Sequence, residues 1–423
     1  MRVLLDISTL GLGMLHPHAR GGGFRADEHL VRDLATSPDC ELAVCANHSS
    51  VTSSAAAEYM RAHRDLAHVP FLTSSREHAS LLQRGLKLGY RTARALFPRG
   101  SLPNVVRASG QLLDRAVHHT VVDTPEGADI FHATHFPLPP RPRGRSPQRF
   151  LTIYDARYRR FPELYDARSR AVFDAIVDSV DARDFVITCS NASRDELVAL
   201  THIKAEQIFV APLAAERELF HPARNVETLR RVRARYGIGD APYLLSVSSV
   251  DIRKNTHLAI RTFARMVREQ RNRDLQYVIA GSPGSGSSEM HAALADAADV
   301  RDRIAQTGFV ADEDLAALYS GAVAFLYPSL YEGFGLPPLE AMQCGTPPIT
   351  SNGSSLPEVV GGGGLMIDVM NEDALCNAMH ELATNATLRE SLSQKALARA
   401  ATFTWEKTSA AVIAAYRTSL DAR

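Results

Sequence analysis

The chain has 423 residues, 45% of them hydrophobic, enough to bury the cores of two or three domains of ordinary size. Its 47 Lys and Arg balance 47 Asp and Glu, and a net charge of zero excludes a nucleic-acid binder dominated by phosphate contacts. No apolar run approaches the roughly 20 residues that cross a bilayer, and five cysteines without metal-ligand spacing or an even disulfide framework fit a reducing cytoplasm.

Residues 1–7 form a short apolar run, wrongly flanked for a signal peptide, that reads as the first strand of an α/β domain. An extended loop then leads to Gly21-Gly22-Gly23, ahead of a helix-like stretch at 26–31. Bare glycines let a backbone approach a phosphate or sugar closely, although a lone triplet is as often a flexible loop. Between Arg76 and Arg115, basic residues such as Arg84, Lys87, Arg91 and Arg94 interleave with leucines and aromatics. This pattern suits an amphipathic element docking on anionic lipid or on a lipid-linked acceptor, and equally a solvated helix with an apolar inner face.

Further along, Phe131-His132-Ala133-Thr134-His135 precedes a strand at 150–153 that runs into Tyr154-Asp155. His132 and His135 are candidates to line a cleft, or to pack beside the strand. Asp155 is a candidate hydrogen-bond partner or base, and equally a cap for the next segment. Strand-like runs at 185–189, 243–247 and 277–281 alternate with amphipathic stretches, the pattern of parallel α/β layers. The turn at 220–225, before a charged helix from about Glu227, places a domain boundary at 222/223.

In Ser248-Ser249-Val250-Asp251-Ile252-Arg253-Lys254-Asn255, two adjacent cations sit at a strand-to-helix turn, where they suit a diphosphate. The glycine- and serine-rich run at 281–288 lacks the Gly-Lys-Ser/Thr ending of a phosphate loop. The densest chemistry follows a buried strand at 322–328: Tyr331-Glu332-Gly333-Phe334-Gly335-Leu336-Pro337-Pro338-Leu339-Glu340 sets two carboxylates around a glycine bend at a strand-to-helix turn. Backbone N–H groups there suit anions and sugar hydroxyls, and each carboxylate can accept from a ligand hydroxyl. Trp405 reads as a packing anchor, and no acidic or histidine cluster has metal-site spacing.

With Cys344-Gly345-Thr346-Pro347 and Ser354-Ser355-Leu356-Pro357-Glu358-Val359, the Glu332–Glu340 block closely resembles the retaining family 4 glycosyltransferases, most strongly from Tyr243 to Asp368. The resemblance implies the α/β GT-B fold: two Rossmann-like domains facing a central cleft. Residues 1–222 would be the acceptor domain, 223–400 the nucleotide-sugar donor domain, and 401–423 a helix returning to the first domain.

The same resemblance gives Glu332 the donor sugar and Glu340 the ribose, with Lys254, Arg253 and Ser249 at the diphosphate. Backbone groups at Phe334, Gly335 and Leu336 would hold the sugar-diphosphate junction, and Gly22 and Gly23 would lie near the diphosphate and acceptor. Asp155 keeps its motif position, whereas Tyr154 stands where relatives carry a histidine. The reaction implied, by likeness to bacterial polysaccharide enzymes of the mannosyl or rhamnosyl type, is metal-independent hexosyl transfer without a cofactor, from a nucleotide diphosphate sugar, GDP-mannose first with UDP- and dTDP-sugars open, to a glycan or lipid-linked acceptor. It would take place in the cytoplasm, with residues 76–115 available for peripheral contact with the inner face of the membrane. A phosphorylase or epimerase of the same fold, or a catalytically silent subunit binding a partner or glycan, are the alternatives.

Overall fold

The computed structural model describes residues 1–16, 21–72, 127–141, 146–269, 274–282 and 284–422. The basic segment 76–115 lies outside the described residues, as does the membrane contact expected of it. Among the described residues, no helix is long and apolar enough to cross a membrane.

The first parallel sheet holds β1 (Arg2–Asp6), β2 (Glu41–Cys45), β3 (Ile130–Thr134), β4 (Gln148–Thr152), β5 (Phe185–Thr188) and β6 (Ile208–Val210), in the order β2-β1-β3-β4-β5-β6. The second holds β7 (Tyr243–Val247), β8 (Gln276–Ala280), β9 (Ile304–Gly308), β10 (Ala324–Tyr327), β11 (Pro348–Ser351) and β12 (Leu365–Ile367), in the order β12-β11-β10-β7-β8-β9. β3, β10 and β11 are buried along their whole lengths, as parallel strands covered on both faces must be.

Strand order reverses between β1 and β3 in one sheet and between β7 and β10 in the other. Loops leaving the carboxyl ends of strands at such a reversal diverge and open a crevice. Both crevices contribute to one shared cleft.

The last helix, Trp405–Asp421, returns to the first domain, where Val412, Ala415 and Tyr416 join a core with Val3, Leu5 and Phe150. Trp405 is buried and stacks on His29, centroids 4.4 Å apart at 11°, so it is the packing anchor expected. His132 is fully buried in β3, with its ring nitrogens bonded to the Tyr416 hydroxyl at 2.6 Å and to Thr152 Oγ1 at 2.8 Å. This corrects the expectation that His132 lines the cleft: its side chain faces the returning helix. Burial pushes its imidazole down to about 3, so it stays neutral.

Two further local expectations change. The stretch after β1 is not an extended loop but contains the helix Ser8–Leu15, and a Cβ on its Gly11 would meet the Thr52 carbonyl at 2.2 Å. Gly22 and Gly23 are not an open loop either, since they form the first turn of the helix Gly22–Thr36. The glycines after β8 serve packing: a Cβ on Gly281, at φ +146, would strike the Ser248 carbonyl at 1.7 Å. They form a floor beneath the Ser248–Lys254 turn.

Replacing Tyr416 by Phe removes one partner of a buried imidazole while keeping the ring, and should lower stability by about 1–3 kcal/mol in urea denaturation. A loss below a few tenths of a kcal/mol would show that the Tyr416 hydroxyl adds nothing to the hold of the returning helix.

Candidate active site

A cleft of about 1370 Å³ opens between the two sheets and is lined from both domains. Lys254 ends the short 3-10 turn Ile252–Lys254 that leaves β7, while Glu332 lies on the loop that leaves β10. The two loops are tied together: the Leu330 N–H donates to the Arg253 carbonyl at 2.8 Å. Their side chains meet at the cleft wall. The Lys254 ammonium donates to Glu332 Oε1 at 2.5 Å and to the Tyr327 hydroxyl at 2.6 Å, and Ser329 donates to the same carboxylate oxygen at 2.7 Å.

Burial pushes the Glu332 carboxyl up, but the Lys254 ammonium, the Ser329 hydroxyl and the Arg253 charge outweigh it and hold the group below its ordinary value. The loop is fixed by its backbone as well. The Glu332 N–H donates to Ser354 Oγ at 3.0 Å, and the Ser355 hydroxyl donates to the Phe334 carbonyl at 2.6 Å, with the Glu332 carbonyl 3.0 Å away. Gly335, at φ +108, then turns the chain into the helix Leu336–Gln343, which carries Glu340.

Glu340 accepts from the Tyr319 hydroxyl at 2.9 Å and faces Arg25 at 3.6 Å. Burial raises its carboxyl, with Arg25 and Tyr319 opposing. Arg25 crosses from the first domain and also pairs with Asp312 at 3.0 Å and Glu216 at 3.6 Å. Motif reading left Arg25 unassigned, and its position directly after Gly21-Gly22-Gly23-Phe24 was the available signal.

On the first-domain wall, Asp155 lines the cleft and also caps its own turn, accepting from the Arg157 N–H at 3.2 Å. Gly333 presses against it: a Cβ there would sit 3.0 Å from Asp155 Cβ, so the Glu332 loop and Asp155 are brought together. Tyr154 lines the cleft beside Gly23 and makes a long 3.4 Å bond to Asp27. Burial drives the Tyr154 phenol well above its ordinary value, and drives the Asp27 carboxyl up to about 7 against bonds from Thr134, Thr9 and Tyr154. Asp27 carries no recognisable motif, and only the fold places it here.

His135 lines the cleft at an unusual φ of +73, and its imidazole is pushed down by burial and by Arg157. Ser249, Gly22, Gly23, Phe334, Gly335 and Leu336 are all at the cleft as well. Arg253 is not among the lining residues. Its buried guanidinium turns to Asp251 at 3.1 Å and to the Tyr331 carbonyl at 3.4 Å, so Lys254 alone of the adjacent pair presents its charge to the cleft. Among the described residues, no group of three or more His, Cys, Asp or Glu is arranged to hold a metal ion.

Two doubly wound domains sharing a cleft, with an ammonium–carboxylate couple at the second switch point, define a GT-B protein. Residues 230–399 match the family described as glycosyl transferases group 1. The chain is 32% identical over 289 residues to O-antigen chain mannosyltransferase B of Escherichia coli, covering 68% of this chain and 74% of that protein. It is 30% identical over 246 residues to the serotype-specific mannosyltransferase WbdA of Escherichia coli, covering 58% of this chain but only 30% of that longer protein. The solved structure of Anabaena Alr3699/HepE in complex with UDP and glucose superposes with a TM-score of 0.64 at 16% identity, covering 99% of this chain and 100% of that one. The chain belongs to the glycosyl transferases group 1 and is a glycosyltransferase.

The Asp27 carboxyl gives a pH prediction. It is raised to about 7 in the folded protein against 3.8 unfolded, so the native state binds the extra proton. Its contribution is fully present below pH 3.8 and is lost as pH rises through about 7. Asp27→Asn should flatten the fall in melting temperature across that window, as read by calorimetry; an unchanged slope would refute the assignment.

Proposed function

We propose that the protein is a retaining, metal-independent hexosyltransferase that moves mannose from GDP-mannose to a glycan or lipid-linked acceptor in surface polysaccharide synthesis. The observation that carries this reading is the Lys254 ammonium at the cleft wall, held by Glu332 and Tyr327. A fixed cation aimed where a diphosphate gathers charge stabilises the leaving group without reorganising at the moment of reaction. Mannose is taken from the names of the two E. coli relatives, both mannosyltransferases.

In this scheme the diphosphate leaves C1 from the face that the acceptor hydroxyl enters. As the C1–O bond to phosphate breaks, the acceptor oxygen bonds to C1 and its proton passes to a phosphate oxygen. No protein nucleophile is needed. Glu332 orients the sugar hydroxyls and Glu340 the ribose, while Phe309, 70% exposed on the loop after β9, offers an open ring face to the base.

The test is turnover of a panel of nucleotide sugars, with the anomeric configuration of the product read by NMR. GDP-mannose should be used with retention, and excess EDTA should leave the rate unchanged. Lys254→Ala should lower kcat by about 10²–10³, whereas Glu340→Ala should act mainly on the donor KM. Absence of turnover with every nucleotide sugar, in the presence of glycan acceptors, would sink this reading in favour of a silent subunit.

A further inference from the structure

Arg25 is a first-domain cation that reaches the second-domain wall of the cleft. It stands on the helix Gly22–Thr36 and lines the cleft together with Glu340 and Asp312. Its Nη2 donates to Asp312 at 3.0 Å, its Nε faces Glu216 at 3.6 Å and its Nη1 faces Glu340 Oε1 at 3.6 Å. A buried ring backs this arrangement. Phe220 lies 5.7 Å beneath the guanidinium and packs edge-on against Tyr319, whose hydroxyl donates to Glu340 Oε2 at 2.9 Å.

The two oxygens of Glu340 differ. Oε2 takes the Tyr319 hydrogen bond, whereas the 3.6 Å to Nη1 is ion-pair range but beyond hydrogen-bond distance, so Oε1 keeps its lone pairs. The side chains of Arg25 and Glu340 are 19% and 12% exposed, open enough for a ligand atom to touch and too covered for water to screen their attraction fully. A charged oxygen held in place with free lone pairs suits a hydroxyl donor.

The other carboxylates are balanced separately. Asp312, 53% exposed, is screened by solvent and takes the Nη2 hydrogen bond, while Glu216 also faces His29 at 3.8 Å. Glu340 is the most buried of the three. Burial pushes its carboxyl up, opposed first by Arg25 and then by Tyr319, with Asp312 and Glu216 adding to the rise. Tyr327 and Cys344 also feel its charge, and burial keeps that phenol and that thiol protonated.

We propose that Arg25 is a positioning residue for the donor, reaching across the domain boundary to hold the Glu340 carboxylate ready for the ribose hydroxyls. The inference rests on the donor-site reading, in which Glu340 takes the ribose. Without the Arg25 charge the Glu340 carboxyl takes up a proton more readily, and the protonated group loses an acceptor.

The experiment titrates the full chain by calorimetry with GDP, or with UDP should GDP not bind, and with the 2′,3′-dideoxy form of the same nucleotide, between about pH 8.5 and about pH 6. Taking the ratio of variant to wild-type Kd cancels the titration of the phosphates. For Arg25→Gln and the ribonucleotide this ratio should rise from about 2 at the upper pH to about 10 at the lower, since one pKa unit is a factor of ten. With the dideoxy form it should not change with pH. Arg25→Lys keeps the charge and should give a flat ratio; a slope equal to that of Arg25→Gln counts against the proposal. A pH-independent ratio for Arg25→Gln, or the same slope with the dideoxy form, would overturn it, because a mere tie between the domains acts on both forms alike. Should Arg25→Gln fail to fold by circular dichroism, Arg25→Met, whose unbranched chain can still cover Phe220, is read in the same way.

Glu340→Gln separates this inference from the reading beneath it. If it weakens the ribonucleotide more than the dideoxy form while Arg25→Gln shows no slope, Glu340 takes the ribose and Arg25 does not position it. If Glu340→Gln affects both forms alike, or neither GDP nor UDP binds, the ribose assignment itself fails and the role of Arg25 fails with it.

Discussion

The helix Asn191–Leu200 starts with its free N–H groups pointed at the other domain, and the second domain answers with a carboxylate. Glu358 accepts from the N–H groups of Asn191 and Ala192 at 2.9 and 2.6 Å and from Asn191 Nδ2 at 3.0 Å. A carboxylate at a helix N-terminus satisfies orphan donors and complements the macrodipole at once. The same helix end grips the Glu332 loop, because the hydroxyls of Ser190 and Ser193 donate to the Gly333 carbonyl at 2.7 and 3.0 Å. Glu332 and Asp155 share no element, and this clamp is one of the contacts that bring them together. The cleft therefore depends on a contact made outside it.

The clamp also explains why a costly ion pair is tolerated. Taking Lys254 and Glu332 out of water costs free energy that their mutual attraction only partly returns, so a well-packed apolar pair would serve stability as well. What the apolar pair lacks is a charge already in place at the cleft wall. Arg25 and Glu340 repeat the arrangement across the domain boundary at 3.6 Å, looser and still aimed at the cleft. Stability is spent at both ends of the glycine bend, and the clamp and the returning helix hold the domains together regardless.

The parallel sheets, the switch-point loops, the carboxylate bend and the packing role of Trp405 were readable from the chain, because each rests on local pattern. Strand burial writes itself as an apolar run, and the bend as two glycines between carboxylates. Arg253 and Lys254 were not separable in this way. In a 3-10 turn successive side chains point about 120° apart, so one cation reaches the cleft while its neighbour turns to Asp251. His132 and His135 differ for a related reason. His132 meets Tyr416, 284 residues further on, whereas His135 sits past the strand end at positive φ. Arg25, Asp27 and Tyr327 gain their roles from partners distant in sequence, which one-dimensional pattern does not carry.

Tyr154 stands where the family resemblance leads to the expectation of a histidine, and the structure limits what a tyrosine there can do. A histidine near neutrality trades protons, but a phenol driven well above its ordinary value by burial remains a neutral hydroxyl. Its neighbour Asp27 is the group whose proton is exchangeable near neutral pH, and it lies behind Tyr154, away from the cleft lining. A wall of this kind can orient a sugar through a hydroxyl without acting as its base. That suits the proposed mechanism, in which the departing diphosphate would take the acceptor proton and Lys254 on the opposite side would carry the charge.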